Sequence, residues 1–160
     1  MPNSWTPTPV RLPIIDRLFD DPNPPRSRLD SVRRLKKALE RDLEWLLNTR
    51  RPAEDLPSGA SELEKSVYWY GLPDLNSLTL SSEADRAGLI RAIQTAISTF
   101  EPRLTSVRVS LTPVAEEGLP ELRFVIDALL RMEPVPEHIS FDTVLDVADG
   151  KYRVRGEAGE

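Results

Sequence analysis

The sequence has 160 residues, of which 39% are hydrophobic and 29% are charged, and it carries a formal net charge of −5. These values predict one globular domain with a buried core, and the lack of any cysteine excludes disulfides, thiolate nucleophiles and cysteine-based metal sites. No apolar run approaches the roughly 18 residues that span a bilayer, and no signal peptide is recognisable, so we expect a cytoplasmic protein without direct membrane insertion.

The amino-terminal segment, residues 1–27, holds seven of the 15 prolines. Proline fixes φ and removes a backbone donor, so this segment is predicted to be an extended or irregular arm. The apolar patch from Ile14 to Phe19 could form one helical turn. It would pack either on its own domain or on a partner. We take residues 1–27 as a docking arm and residues 28–160 as one domain.

A basic stretch follows the arm, because residues 26–51 contain nine basic and four acidic side chains. A nucleic-acid contact is one interpretation. We do not favour it, because the negative charge of the whole chain would repel phosphate. The alternatives are a solvated helix face or a surface that meets an acidic protein partner.

Three helices are predicted next. The first runs from Asp30, as its cap, to Asn48, with apolar residues at three- and four-residue steps. Ser61-x-x-Glu64 is typical of a capping box, which predicts a short helix through Tyr70 with Gly71 as a left-handed stop.

The third helix is predicted from Glu83 to Phe100, after a cap at Ser82. It ends at Glu101 because a residue that precedes proline, here Pro102, is disfavoured in the helical region.

The apolar period then changes to two, which predicts strands with one buried face. The alternating segments are Val107–Leu111, Leu122–Met132 and Ile139–Val147. Asp149-Gly150 is typical of a two-residue hairpin turn and would place Val147 opposite Tyr152 and Leu145 opposite Val154. The predicted fold class is therefore α+β, with amino-terminal helices packed on a three- to four-stranded antiparallel sheet.

Motifs of catalysis are few in this sequence. His138 is the only histidine, and no glycine loop for phosphates or serine elbow is present. We therefore predict no cofactor, no metal site and no enzyme activity. The sequence does not exclude a pair of acidic residues for glycoside hydrolysis, because such pairs follow no spacing rule.

Four segments together resemble one protein family. They are, in chain order, Asp16-Arg17-Leu18, Asn48-Thr49-Arg50-Arg51, Tyr70-Gly71-Leu72-Pro73-Asp74 and Glu101-Pro102-Arg103. They resemble motifs of TssE, the baseplate wedge subunit of bacterial type VI secretion systems, a branch of a phage tail baseplate family sometimes labelled "lysozyme-like".

The resemblance implies a structural subunit that links wedge subunits (TssF, TssG and TssK) to the contractile sheath and initiates sheath assembly. It implies a sheet that matches part of the sheath subunit, and a cytoplasmic baseplate complex docked at the inner membrane. The partner-binding residues it implies are Asp16, Arg17, Leu18, Asn48, Thr49, Arg50, Arg51, Glu101, Pro102 and Arg103. The alternatives are a peptidoglycan hydrolase and an anti-adaptor-type regulatory binding protein.

Each motif also has a purely internal interpretation. Glu101 and Arg103 could form an ion pair that holds the corner between helix and strand, and Arg50 and Arg51 could offset the carbonyls at a helix end. The aromatic residues from Tyr68 to Tyr70 favour packing over a stacking platform. An open sheet edge supplies the mechanism that we hypothesise, in which a sheath segment adds a strand while the arm and first helix dock on the wedge.

Overall fold

A computed structural model describes residue 10 and residues 12–18, 25–53, 56–74, 82–112 and 121–156. Its helices are α1 (Ile14–Leu18), α2 (Arg28–Asn48), α3 (Ser61–Glu64) and α4 (Glu83–Phe100), with a 3₁₀ helix at Val67–Trp69. Its strands are β1 (Leu104–Thr112), β2 (Glu121–Leu130), β3 (Glu137–Asp146) and β4 (Lys151–Gly156). In this part of the chain, no helix is both long and apolar enough to cross a membrane.

The four strands form one antiparallel sheet in the order β1-β2-β3-β4. Alternate side chains of each strand are buried and pack with the leucines and isoleucines of α2 and α4 in one core. The α+β prediction is confirmed, because the two long helices each bury one apolar stripe and only the sheet offers a surface wide enough for both. The predicted helical turn in the arm is confirmed as α1, whereas most of residues 1–27 lies outside the described residues.

Helix α2 begins at Arg28, two residues before the predicted start. Its cap is Ser27, whose hydroxyl accepts a hydrogen bond from the Asp30 amide at 3.1 Å. The predicted cap at Asp30 is therefore wrong. Ser27 and Asp30 are both good capping residues, and the local sequence did not discriminate between them.

Helix α4 has the predicted boundaries from Glu83 to Phe100. The Ser82 hydroxyl accepts from the Asp85 amide at 3.3 Å, and Glu101 leaves the helical region before Pro102. Both signals are local, so they were readable without the tertiary structure.

The predicted helix through Tyr70 is wrong. Helix α3 ends at Glu64 and is preceded by Ala60 without a side-chain cap, and a separate 3₁₀ turn carries the chain to Tyr70. The left-handed stop is confirmed, because Gly71 has a φ of 112°.

The predicted two-residue hairpin is also wrong. Strand β3 ends at Asp146, strand β4 begins at Lys151, and Tyr152 lies opposite Leu145. The Asp146 carboxylate accepts hydrogen bonds from the amides of Ala148 (3.0 Å) and Asp149 (3.3 Å) and so closes a longer turn. The register shifts by two residues, which keeps the predicted apolar face. Strand β2 likewise ends at Leu130, short of the predicted Met132.

Candidate partner-binding site

The Glu101-Pro102-Arg103 motif forms an ion-pair clasp at the corner between α4 and β1. Arg103 donates from Nε to Glu101 Oε1 (2.6 Å) and from Nη2 to Glu101 Oε2 (2.5 Å). The same Nη2 reaches Asp42 Oδ2 of α2 at 2.6 Å. The Glu101 side chain is only 8% exposed, so its charge depends on Arg103 for compensation. Pro102 between them is exposed.

The network continues from Asp42 to the arm. Arg41 donates to both carboxylate oxygens of Asp16 (2.6 and 3.0 Å) and to Asp42 Oδ1 from Nη2 (2.9 Å) and Nε (3.1 Å). Five charged groups of alternating sign thus connect α1 to the α4–β1 corner through α2. The Asp16 motif and the Glu101 motif are therefore parts of one cluster, although 85 positions separate these two residues in the sequence.

Hydrogen bonds within this cluster favour the charged forms of Asp16, Arg41 and Arg103. The hydrogen bond from Arg41 holds the pKa of Asp16 below its ordinary value, against the opposing effect of burial. Burial by itself would lower the pKa of Arg103, but its bonds to Glu101 and Asp42 outweigh it and raise that pKa. Burial and the negative charges of Asp42 and Glu101 raise the pKa of Tyr70. A general acid needs a raised carboxyl pKa, so the lowered pKa of Asp16 is typical of a structural ion pair.

Helix α1 turns Asp16 inward and its apolar side chains outward, whereas Val10 and Leu12, earlier in the arm, pack against the core of the domain. Asp16 contacts Arg41, whereas Ile14 is 66% and Leu18 is 78% exposed. Arg17 is exposed as well. An anchored turn that exposes its apolar side chains is the reverse of ordinary amphipathic packing.

Asn48, the last residue of α2, binds the backbone of strand β4. Its Nδ2 donates to the Tyr152 carbonyl (2.9 Å), and its Oδ1 accepts from the Tyr152 amide (2.9 Å). One turn earlier, Glu44 Oε2 accepts from the Val154 amide at 3.1 Å. These side chains occupy the outer edge of β4 in place of a fifth strand.

The second and third motifs pair with each other. The Leu72 amide donates to the Thr49 carbonyl, and the Arg51 amide donates to the Leu72 carbonyl, both at 2.9 Å. A Cβ at Gly71 would lie 2.4 Å from the Thr49 carbonyl oxygen, so only glycine permits this approach. Both motifs therefore fix the exit of α2 on the domain.

The two arginines of the second motif contact their own chain. Arg50 donates to the carbonyls of Leu47 (3.0 Å) and Gly150 (2.8 Å). The Arg51 guanidinium lies 4.6 Å from the ring centre of Trp69, which stacks on the half-exposed Tyr68. The internal interpretation accounts for these contacts, and the exposed parts of Arg50 and Tyr68 remain available to a partner.

Strand β1 is the other edge of the sheet, and its outer backbone groups are mostly uncovered. Both backbone groups of Tyr152 point away from β3, and in an antiparallel ladder the facing direction alternates from residue to residue. Counted across the register of the four strands, the outward-facing residues of β1 are Val107, Val109 and Leu111. The Val107 carbonyl accepts from Gln94 of α4 at 2.8 Å. The outward groups of Val109 and Leu111 have no partner among the described residues.

Two concave regions lie away from the clasp. A groove of about 1140 Å³ lies between α2 and the start of β3, and a hollow of about 330 Å³ lies beside Trp69 and α4. Neither is lined by Glu101 or Arg103. The charged corner is thus a packed junction in the described part of the chain.

The sequence matches the model of one protein family over most of its length. The family model of baseplate wedge protein gp25 matches residues 33–135. The chain belongs to the gp25 family. TssE is of this family, so the resemblance drawn from the sequence is confirmed at the family level. A search of curated proteins found no match.

Membership in the gp25 family establishes a structural role in a baseplate. The match covers three of the four motifs, whereas Asp16-Arg17-Leu18 and strands β3 and β4 lie outside it.

Sequence reasoning missed several residues of this site. Arg41 and Asp42 join the arm to the corner, and Glu44 and Gln94 cover strand edges. One signal was available, because Asp42 lies three residues after the buried Leu39 and therefore borders the apolar stripe of α2. A charge in that position is half-buried and needs a partner.

Proposed function

We propose that this gp25-family protein is a structural subunit of a type VI secretion baseplate, which links wedge subunits to the contractile sheath and initiates sheath assembly. In this proposal the arm and α2 dock on wedge subunits of the TssF, TssG and TssK type, and β1 receives a sheath segment. The complex would lie on the cytoplasmic side of the inner membrane.

The difference between the two sheet edges carries the sheath part of the proposal. Asn48 and Glu44 cover the β4 edge, whereas Val109 and Leu111 of β1 direct amide and carbonyl groups outward. Unpaired strand groups are a template for another chain. A sheath strand that pairs with β1 would extend the four-stranded sheet to five, and its own outer edge could receive the next segment.

A proline at position 111 tests this pairing. By the alternation above, the Leu111 amide faces outward, so Leu111→Pro removes a donor at the free edge and leaves the bonds to β2 in place. Leu111→Val is the matched control, because it shortens the side chain and keeps the amide. We expect normal co-purification of wedge subunits with both variants, and sheath foci in cells only with Leu111→Val. Sheath assembly with a folded Leu111→Pro protein would refute the β1 pairing.

The arm supports the wedge part of the proposal. The Asp16–Arg41 pair holds α1 so that Ile14 and Leu18 remain exposed, and Arg41 also lies 5.0 Å over the ring of the half-exposed Trp45. At least half of each of these apolar side chains is exposed in the described part of the chain, so a partner is the simplest means of burying them.

Leu18→Ser tests the arm without affecting the core, because Leu18 is 78% exposed. Val67→Ser is the control, since Val67 is 89% exposed and lies outside the arm. We expect co-purification with wedge subunits to fall about tenfold for Leu18→Ser, which is about 1.4 kcal/mol of binding free energy. The thermal midpoint should be unchanged for both. Equal recovery of wedge subunits with the two variants would remove the arm from the interface.

A further inference from the structure

The carboxylate of Asp42 is shared between the arm and the corner. Its Oδ1 accepts from Arg41 at 2.9 and 3.1 Å, and its Oδ2 accepts from Arg103 at 2.6 Å. Arg41 also binds both carboxylate oxygens of Asp16 in α1. Arg103 also binds both carboxylate oxygens of Glu101. One carboxylate thus lies between two guanidinium groups, and each guanidinium divides its donors between two carboxylates.

The two arginines therefore compete for Asp42. If Asp16 left Arg41, the freed donors of Arg41 would turn to Asp42 and draw it away from Arg103, because a guanidinium binds a carboxylate best through two bonds. If Arg103 no longer reached Asp42, that carboxylate would draw Arg41 away from Asp16. The side chains of these four residues are between 20% and 34% exposed, so water screens only part of each interaction. The charge of Arg103 adds to the hydrogen bond from Arg41 in lowering the pKa of Asp16, so the two ends already affect each other.

The corner fixes the entry of the chain into β1. Arg103 directly precedes β1, and its carbonyl accepts from the Arg131 amide at 2.8 Å. A little further along, Ser106 has a φ of 54°, and the register of β1 on β2 shifts between Thr105 and Arg108. A positive φ is unfavourable for a residue with a side chain, so a bulge of this kind persists only where the chain around it is held. The clasp supplies that fixed point for β1.

We propose that Asp42 couples the arm to the entry of β1, so that α1 held on Arg41 strengthens the clasp and a firm clasp strengthens the hold on α1. The coupling is reciprocal, because both ends act on the same shared carboxylate. Its role in assembly rests on the function proposed above. A wedge subunit that covers Ile14 and Leu18 holds Asp16 in place, and it thereby fixes the entry of β1 before a sheath segment arrives.

Amide hydrogen exchange on the isolated full chain tests the coupling from the side of the arm. Asp16→Asn should lower the protection factor of the Arg131 amide about threefold or more, relative to that of the Tyr152 amide on the distant strand β4. Arg17→Gln is the matched control, because Arg17 is also a charged residue of α1 but is exposed, and its side chain has no partner among the described residues. In an Asp42→Asn background, Asp16→Asn should have no further effect. Equal effects of Asp16→Asn and Arg17→Gln, or an effect of Asp16→Asn that persists in that background, would overturn the coupling.

The ionisation of Asp16 tests the coupling from the side of the corner. Arg103→Lys keeps the positive charge but loses the planar fork that reaches Asp42, so Asp42 turns to Arg41. The pKa of Asp16, followed by the chemical shift of its carboxyl carbon, should then rise towards its ordinary value, because Asp16 loses part of its hydrogen bond from Arg41. Arg108→Lys makes the same change at an exposed arginine of β1 and should leave that pKa where it is. The same pKa of Asp16 in the two variants would contradict the proposal.

Purified wedge subunits of the TssF and TssG type separate the coupling from its role in assembly. Their addition should raise the protection factor of the Arg131 amide about threefold or more in the original sequence, and should leave it unchanged in Asp42→Asn. A complex that forms without this rise would refute the role in assembly. Failure to form any complex would refute the function proposed above, whereas the two measurements on the isolated chain would still decide the coupling.

Discussion

Replacement of Arg103 by alanine removes the cation on which the buried Glu101 depends. Removal of one partner of a buried ion pair costs about 3–5 kcal/mol, because the other charge is left uncompensated. The side chains of Arg103 and Asp42 are 27% and 20% exposed, so water replaces part of the lost interaction. We therefore expect Arg103→Ala to lower the free energy of unfolding by about 2–3 kcal/mol. Urea denaturation followed by circular dichroism measures this value.

Two further variants separate charge from geometry. Arg103→Lys keeps the charge but loses the planar fork that reaches Glu101 and Asp42, and it should cost about 1 kcal/mol. Glu101→Gln combined with Arg103→Ala removes both charges and should recover at least about 1 kcal/mol relative to Arg103→Ala. A loss below about 0.5 kcal/mol for Arg103→Ala, or strict additivity of the two substitutions, would refute the argument that Glu101 relies on Arg103.

The expected instability changes how an assembly defect at this motif is understood. A variant at Arg103 that fails to form sheath could fail because the α4–β1 corner is weakened. Exposed positions such as Leu18 and the backbone amide at Leu111 avoid this ambiguity, since neither contributes to the clasp.

Three more outcomes follow from the motif contacts. Asn48→Ala should cost about 1–2 kcal/mol in urea denaturation, because it removes both bonds to the Tyr152 backbone; no change would show that water replaces them. Gly71→Ala should cost about 2–4 kcal/mol by the same measurement, since φ is 112° and the new Cβ meets the Thr49 carbonyl; a neutral result would contradict the close approach. Because the folded pKa of Asp16 is lowered, its stabilisation of α1 is complete above a pH of about 4 and is lost as the pH falls through that pKa. The protection factor of the Arg17 amide against hydrogen exchange should therefore fall only in acid, and Asp16→Asn should abolish the pH dependence of that factor.

The boundaries of α4 and the buried face of each strand were predictable because their causes are local. Ser82 and Pro102 delimit one helix within a few residues of its ends, and a period of two places one set of side chains on one face. The prediction of the hairpin register was wrong because the Asp146 carboxylate closes a longer turn in place of the two-residue Asp149-Gly150 turn. The sequence contains the residues for both turns.

The motif roles depended on residues far apart in the chain. Nothing near Arg103 in the sequence indicates that Asp42 will lie 2.6 Å away, or that Asn48 will bind the Tyr152 backbone. Such contacts follow from how α2 lies across the sheet, which is set by the whole apolar surface.

The sequence alone was sufficient to predict the ends of α4, the α+β class and the motifs that resemble those of the gp25 family. The packing of α2 and α4 on the sheet decided which charges are paired, which sheet edge is covered by side chains and which edge lacks partners among the described residues. The physical reason is the range of the forces, since caps and turns act over a few residues, whereas ion pairs and free strand edges depend on segments brought together by the core.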